Sequence, residues 1–454
     1  MPPIFYLLFL LILFSSFLIG QSKAKGISGV GKLHSLPSYH GYYAAIWCGL
    51  PALLVVFFWS LSENWFLKDL VLAGLDEGMA PNERDMLFNE ILVLADGNLG
   101  FGARDEGVAE AAARFRELQG LSTQSLLVVT LALMIAGGLY ARTRISLEFR
   151  ARHVVERVLT GFLILSSTVA ILTTFGIVAS LVIESWRFFE LISPVEFLFG
   201  LKWYPQIAIR ADQAAGEGAF GAIPLFTGTL LISAIAMLVA VPIGLFSAIY
   251  FSEYASKHTR ALIKPMLEIL AGIPTVVYGF FAALTVAPWI RETGVGFGLE
   301  VSAQSALAAG AVMGIMIIPF ISSLSDDVIN AVPQTLRDGS YAMGATQSET
   351  IKQVILPAAL PGVVGAVLLA VSRAIGETMI VVMAAGLAAN LTANPLENVT
   401  TVTVQIVVAL IGDQEFDDPK TLSAFALGLV LFLVTLALNV VALQIVKKYR
   451  EKYD

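Results

Sequence analysis

Two ionisable residues stand four apart inside an apolar run, Arg373 and Glu377 in Ser372-Arg373-Ala374-Ile375-Gly376-Glu377-Thr378-Met379. Each charge costs about 2.5–3.5 kcal/mol at the centre of a membrane helix, so groups kept there mark solute paths, relays or gates. A guanidinium holds an oxyanion through a planar fork of donors, and a neighbouring carboxylate tempers the attraction so that the ion can leave. Spacing of four predicts both on one face of a single helix, where they pair. Gly362, Ala366, Ala370 and Ala374 repeat at the same period, a small-residue stripe that admits a second helix at close range. One reading is a neutralised pair that fixes packing. The favoured one makes Arg373, Glu377 and the adjoining Thr378 part of a solute path or its gate.

The second chemically distinct stretch runs from Ser325 to Pro357: polar, compatible with helix, interrupted at Gly344 and closed by Leu356-Pro357. It reads as a helix-turn-helix that docks on a soluble partner, with Gly344 allowing the tight turn; the alternative is an amphipathic interfacial loop. Gly272, Pro274, Pro319 and Pro361 are expected to be flexible or broken points in rigid helices, although membrane helices also tolerate Pro and Gly without such a role.

The elements that position these residues follow from composition. The chain has 454 residues, 57% apolar and 14% charged, with a mean hydropathy of +0.79, which excludes an ordinary soluble domain. Apolar runs long enough to span a bilayer fall near residues 4–20, 43–62, 122–140, 158–183, 222–250, 262–288, 302–325, 360–386 and 422–446. The expectation is an all-α polytopic membrane protein with a three-span extension, residues 1–141, and a six-span core, residues 142–454. Lys and Arg accumulate in cytoplasmic loops. The cluster Arg142, Arg144, Arg150, Arg152 and Arg157 is therefore placed inside, and alternation adds Lys23, Lys25 and Lys32, then Lys257, Arg260 and Lys264, then Arg337 and Lys352, then Lys447, Lys448, Arg450 and Lys452. The N-terminus is expected outside and the C-terminus inside. No Lys or Arg precedes the first apolar run, so a retained anchor is expected rather than a signal peptide.

The net charge of -7 speaks against nucleic acid as a partner, and it concentrates in residues 63–121. There Glu63, Asp69, Asp76, Glu77, Glu83, Asp85, Glu90, Asp96, Asp105, Glu106, Glu110 and Glu117 face Lys68, Arg84, Arg104, Arg114 and Arg116. This external loop is read as a solvated spacer, with Ala109 to Leu118 able to form a surface helix. Cys48 stands alone, and His34, His40, His153 and His258 lack metal-ligand spacing. Gly26 to Lys32 meets the Gly-x4-Gly-Lys pattern, but Leu33 follows where Mg²⁺ needs Ser or Thr; Gly216 to Gly221 meets Gly-x-Gly-x-x-Gly without a βαβ unit. No residue set for covalent chemistry is expected in this chain.

The connection also carries a recognisable pattern. Asp338-Gly339-Ser340-x3-Gly344-x9-Val354-x-Leu356-Pro357 resembles the EAA loop of ABC-transporter permeases, with Gly344, Leu356 and Pro357 in register, Val354 in place of Ile, and Asp-Gly-Ser opening in place of Glu-Ala-Ala. The run Arg373-Ala-Ile-Gly-Glu377-Thr378-Met379 is similar to the Arg-Ala-x-Gly-Glu-Thr-Met of phosphate permeases. Thr378-Met379 together with Pro274-Thr275-Val276-Val277-Tyr278-Gly279 favours the PstC-type over the PstA-type subunit. The resemblance covers about residues 155–450 and implies a six-helix permease core in a bacterial inner membrane, coupled through residues 326–357. It further implies a PstA-type second permease, a PstB-type ATPase dimer that uses ATP and Mg²⁺, a PstS-type periplasmic phosphate-binding protein, and no cofactor in this chain. A permease for sulfate or molybdate is the nearest alternative. A cation-coupled carrier or a membrane sensor is weaker, because the first needs no docking loop and the second needs an output domain.

Overall fold

The computed structural model describes residues 3–29, 31–72, 81–95, 106–206, 218–411 and 418–450. Among these, eight helices are long and apolar enough to cross a membrane, or nine if one sharply bent pair counts as a span. The chain forms two compact units, Met1–Ile171 and Leu172–Asp454.

In the first unit, α1 (Pro3–Ser28), α2 (Pro37–Leu72) and α4 (Glu106–Arg144) carry the expected spans and extend past them. Their backbones approach closely. A Cβ on Gly137 would lie 2.0 Å from the Trp47 carbonyl oxygen, so α2 and α4 meet at a distance only Gly permits. The first half of α5 (Ala151–Leu191) packs here through Ala151 and Val155 against Tyr43, Ala44 and Ala141. The acidic stretch is not a solvated spacer where it is described. α2 and α4 continue through it, and α3 (Pro81–Ala95) closes on them so that Leu67, Val71, Phe88, Ile91, Val108, Ala112 and Phe115 share one apolar cluster. The apolar residues lie at helical spacing among the acids, and their burial outweighs the local charge density. Asp76, Glu77, Asp96 and Asp105 lie outside the described residues, as do Arg104 and Lys452. So does Val30 of the Gly26–Lys32 run, and so do Gly216 and Glu217 of the second glycine pattern.

In the second unit, α6 (Pro194–Phe199) and the two-residue strands β1 (Trp203–Tyr204) and β2 (Ala219–Phe220) lead into α7 (Ile223–Ile249). The strands pair antiparallel, Trp203 opposite Phe220. α7 packs on the central helix α11 (Ala306–Ala331), where Gly310 and Gly314 sit so close to Ile235 and Val239 that an added Cβ would come within 2.7 and 2.8 Å. Ile232, Ala236, Val312, Met313 and Ile317 form the core between them. The short helix α16 (Val402–Leu410) precedes α17 (Pro419–Arg450), the last described span.

The expected span at 262–288 is not one helix. α8 (Lys257–Ala271) and α9 (Thr275–Phe281) meet at 85°, and α10 (Ala287–Gly296) follows. Pro274 removes a backbone donor and drives Ile273 out of helical geometry. Tyr278 recovers part of the loss by donating its hydroxyl to the Leu270 carbonyl at 2.8 Å. Hydropathy averages over this break. Among the described residues three π-helical turns interrupt the ladders: Tyr250–Tyr254 after α7, Ala282–Val286 after α9, and Ile351–Ile355 further on.

Candidate functional site

The connection between α11 and the next span folds as a helix-turn-helix. α12 (Gln334–Ala342) ends at Met343, and Gly344 takes a φ of +85°. Gly344 N donates to Tyr341 O at 2.9 Å and Ala345 N to Ser340 O at 3.2 Å, the paired bonds of a Schellman stop. The chain restarts at once. Thr346 caps α13 (Gln347–Thr350) in a reciprocal box with Glu349, and the hydroxyls of Ser340 and Thr350 meet across the turn at 2.9 Å. From there the helix continues through the π turn holding Val354 into α14 (Leu356–Ile375), unbroken for 29 residues. Leu356 and Pro357 follow directly on the π turn, so the donor that Pro357 lacks falls where the hydrogen-bond ladder is already shifted in register. Pro361 was expected to be a flexible or broken point, yet α14 runs through it.

One ionic cluster anchors this turn and a second ties α8 to α11, the helix that leads into it; the sequence reading, which used Arg260, Lys264 and Arg337 only for orientation, did not find them. Arg337 of α12, with a side chain 10% exposed, donates from Nη2 to Glu253 Oε1 at 3.0 Å and to Ile329 O at 2.8 Å, and from Nη1 to Val332 O. Glu253 sits in the π turn after α7, and its carbonyl accepts from Gln347 Nε2 at 2.7 Å. One short segment thus grips both helices of the turn. The second cluster centres on Asp326 of α11, whose side chain is 2% exposed. Its oxygens accept from Arg260 at 2.8 and 3.0 Å, Lys264 at 2.8 Å and Asn330 at 2.8 Å, tying α8 to α11. A signal existed: Arg260 and Lys264 are four apart, as are Asp326 and Asn330, so each helix presents a two-residue polar face. Asp338, by contrast, is exposed on α12, and among the described residues its side chain accepts only from Gln334 Nε2 at 3.1 Å.

Removing one partner of a buried ion pair costs on the order of 3–5 kcal/mol, and the two carbonyls left to Arg337 lower this to about 2 kcal/mol for Glu253→Gln. We expect that variant to be cleaved several-fold faster by trypsin after Arg337, the basic residue that the lost carboxylate holds in place. An unchanged rate would deny the clamp its anchoring role.

At the other end of the 29-residue helix the expected ion pair is absent. Gly376 terminates α14, so Glu377 falls outside the helix and the four-residue spacing no longer puts the two side chains on one face. Glu377 Oε1 instead accepts from the backbone N–H groups of Met379 at 3.1 Å and Ile380 at 3.4 Å, at the start of α15 (Met379–Ala384). The expected span at 360–386 is therefore a helix, a break and a short helix. Thr378 lies in the break and donates to Gly376 O at 3.4 Å, and Thr403 holds the Glu377 carbonyl at 3.1 Å. α15 packs on α9 just past the other break, at Gly272 and Pro274; there Gly279 comes so near Met383 that a Cβ would meet its sulfur at 2.7 Å. The Arg373 guanidinium lies 5.6 Å from the Phe320 ring centroid, and among the described residues no carboxylate lies within ion-pair range of it. An exposed guanidinium resting on an aromatic face keeps its fork of donors free for an oxyanion. Among the described residues no group of three or more His, Cys, Asp or Glu is arranged to hold a metal ion.

Comparison with known proteins gives two matches along the chain. Residues 6–173 match the family described as phosphate ATP-binding cassette transporter, and residues 240–451 match the binding-protein-dependent transport system inner membrane component. The probable ABC transporter permease protein YqgH of Bacillus subtilis is 35% identical over 167 residues, 37% of this chain and 50% of that protein. The phosphate transport system permease protein PstC of Haemophilus influenzae is 33% identical over 202 residues, 40% of this chain and 59% of that one. The chain thus spans about half the length of the curated relatives it matches. A chain of the solved bacterial alginate ABC transporter aligns with a TM-score of 0.46 at 16% identity, covering 66% of this chain and 99% of that one.

Proposed function

We propose that this chain, which matches the binding-protein-dependent transport system inner membrane component over residues 240–451 and the phosphate ATP-binding cassette transporter family over 6–173, is the PstC-type permease subunit of an ATP-driven importer of inorganic phosphate. One observation carries the mechanism: a single helix runs from the capped turn at Gly344 to Arg373. At 1.5 Å per residue, its 29 residues span roughly 43 Å, more than the ~30 Å hydrocarbon core.

In this reading the cytoplasmic turn docks on a PstB-type ATPase, one of two that close on ATP and Mg²⁺ while this chain performs no hydrolysis itself. Closure displaces α12 and α13 together, because Glu253 holds both, and the displacement passes along α14 as a rigid body. At the far end it moves Arg373 relative to the breaks at Gly376–Thr378 and Gly272–Pro274, the points where helix direction can change at low cost. A PstA-type permease supplies the other half of the path and a PstS-type protein delivers phosphate from the periplasm. The N-terminus then lies in the periplasm and the C-terminus in the cytoplasm of a bacterial inner membrane.

The test is uptake of labelled phosphate into membrane vesicles holding this chain with its partners. Uptake is expected only with ATP inside, at least tenfold above the nucleotide-free level. Uptake driven by a proton gradient without nucleotide would sink the proposal in favour of a cation-coupled carrier, and uptake of sulfate or molybdate in preference to phosphate would change the cargo.

A further inference from the structure

The first unit contains a cavity of about 700 Å³ between α1, α2 and the first half of α5. Leu13, Ile46, Gly49, Leu53, Val158 and Phe162 line its length. Along α2 it reaches from Leu36 to Leu53, roughly 25 Å at the helical rise, more than the depth of one leaflet of a ~30 Å core. Its polar groups gather at one end, where Ser38, Tyr39 and Tyr42 join the lining. The chain beside this end is basic: Arg152 N donates to Ser35 Oγ at 3.3 Å, and the exposed Lys32, Arg150 and Arg157 lie within five residues along the chain of Ser35 or Arg152. Arg152 places its guanidinium 6.0 Å from the Tyr39 ring centroid, at the rim of the cavity.

We propose that this groove binds an anionic phospholipid, one acyl chain lying along α2 and the phosphate at the arginine rim. The shape and the charge agree on an amphiphile: an apolar trough one chain long, with cations and tyrosines confined to one mouth, as in basic headgroup pockets between membrane helices. A protein helix seated there would meet one charged end and no polar partner further along. Two acids oppose the cations. Glu156 takes Arg152 Nε at 2.6 Å, and Glu148 lies in the same basic segment. Among the described residues the two Nη groups of Arg152 have no hydrogen-bond partner, so the fork that faces away from Glu156 is open to a phosphate.

The experiment uses the full chain in nanodiscs of equal parts phosphatidylglycerol and phosphatidylethanolamine, followed by release into detergent and native mass spectrometry of the lipid retained. Wild type is expected to retain phosphatidylglycerol at least fivefold over phosphatidylethanolamine. Arg152→Gln with Arg157→Gln, both at exposed positions, is expected to bring that ratio to about one, and Ala45→Trp, which fills the trough, to abolish retention of either lipid. Matching thermal unfolding of the detergent-solubilised variants guards against a folding artefact. Equal retention of the two lipids by wild type would overturn the proposal. So would a ratio unchanged in the arginine variant, or crosslinking of a protein helix to a photoreactive residue at Leu53.

Discussion

Arg373→Gln is expected to reduce phosphate uptake about 10- to 100-fold while membrane level and assembly with partner subunits stay at wild-type values. A hydrogen bond to a charged group is worth about 1.5–3 kcal/mol, and glutamine keeps a donor but loses the charge and the fork. Since among the described residues no carboxylate neutralises Arg373, the loss orphans no described counter-ion, and its only described ring contact, with Phe320, is small in energy. The effect should therefore fall on transport rather than on folding. Arg373→Lys separates charge from geometry: a point charge without the planar fork is expected to restore part of the rate. Normal uptake by the glutamine variant, measured at equal protein level, would remove Arg373 from the path.

Gly344→Val is expected to abolish stimulation of the ATPase and weaken its association at least tenfold. A Cβ at Gly344 meets nothing within 4 Å, so the substitution does not clash. The whole effect comes from the backbone. At φ +85° a β-branched residue is strained by about 1–3 kcal/mol, enough to open the Schellman stop and let α12 drift from α13. Asparagine tolerates the left-handed region, so Gly344→Asn is predicted to retain most coupling. That contrast makes the test specific: if the ATPase assembled with either variant hydrolyses ATP in step with transport, the turn is not the docking element, and if both variants fail equally, side-chain identity at the surface matters more than φ.

Hydropathy recovered the long spans because a bilayer demands a continuous apolar run, a demand visible without any knowledge of packing. It missed the break at Gly272–Pro274 because averaging a window discards direction, and an 85° bend changes direction without changing composition. The turn at Gly344 was legible for the opposite reason: it depends on one glycine and on local capping. Arg373 and Glu377 show how a correct residue choice can carry a wrong geometry. The four-residue rule holds only inside one helix, and Gly376 ends that helix between them. The acids of residues 63–121 were counted and the helical spacing of Leu67, Val71, Phe88 and Phe115 among them was not, so a packed cluster looked like a spacer. The Glu253–Arg337 bond was beyond reach, since 84 residues separate its members and one-dimensional spacing carries no information at that range.

The π turn at Ile351–Ile355 has a consequence for phase. Each residue in an α-helix turns the chain by about 100°, and a π turn absorbs one extra residue without letting the helix after it rotate by that amount. Everything beyond Ile355 is thereby set one residue out of step with everything before it. The compass bearing of Arg373 is consequently fixed by a local count of residues near the capped turn, some 20 positions away, where one residue more or fewer would swing the guanidinium about a quarter-turn from its present direction.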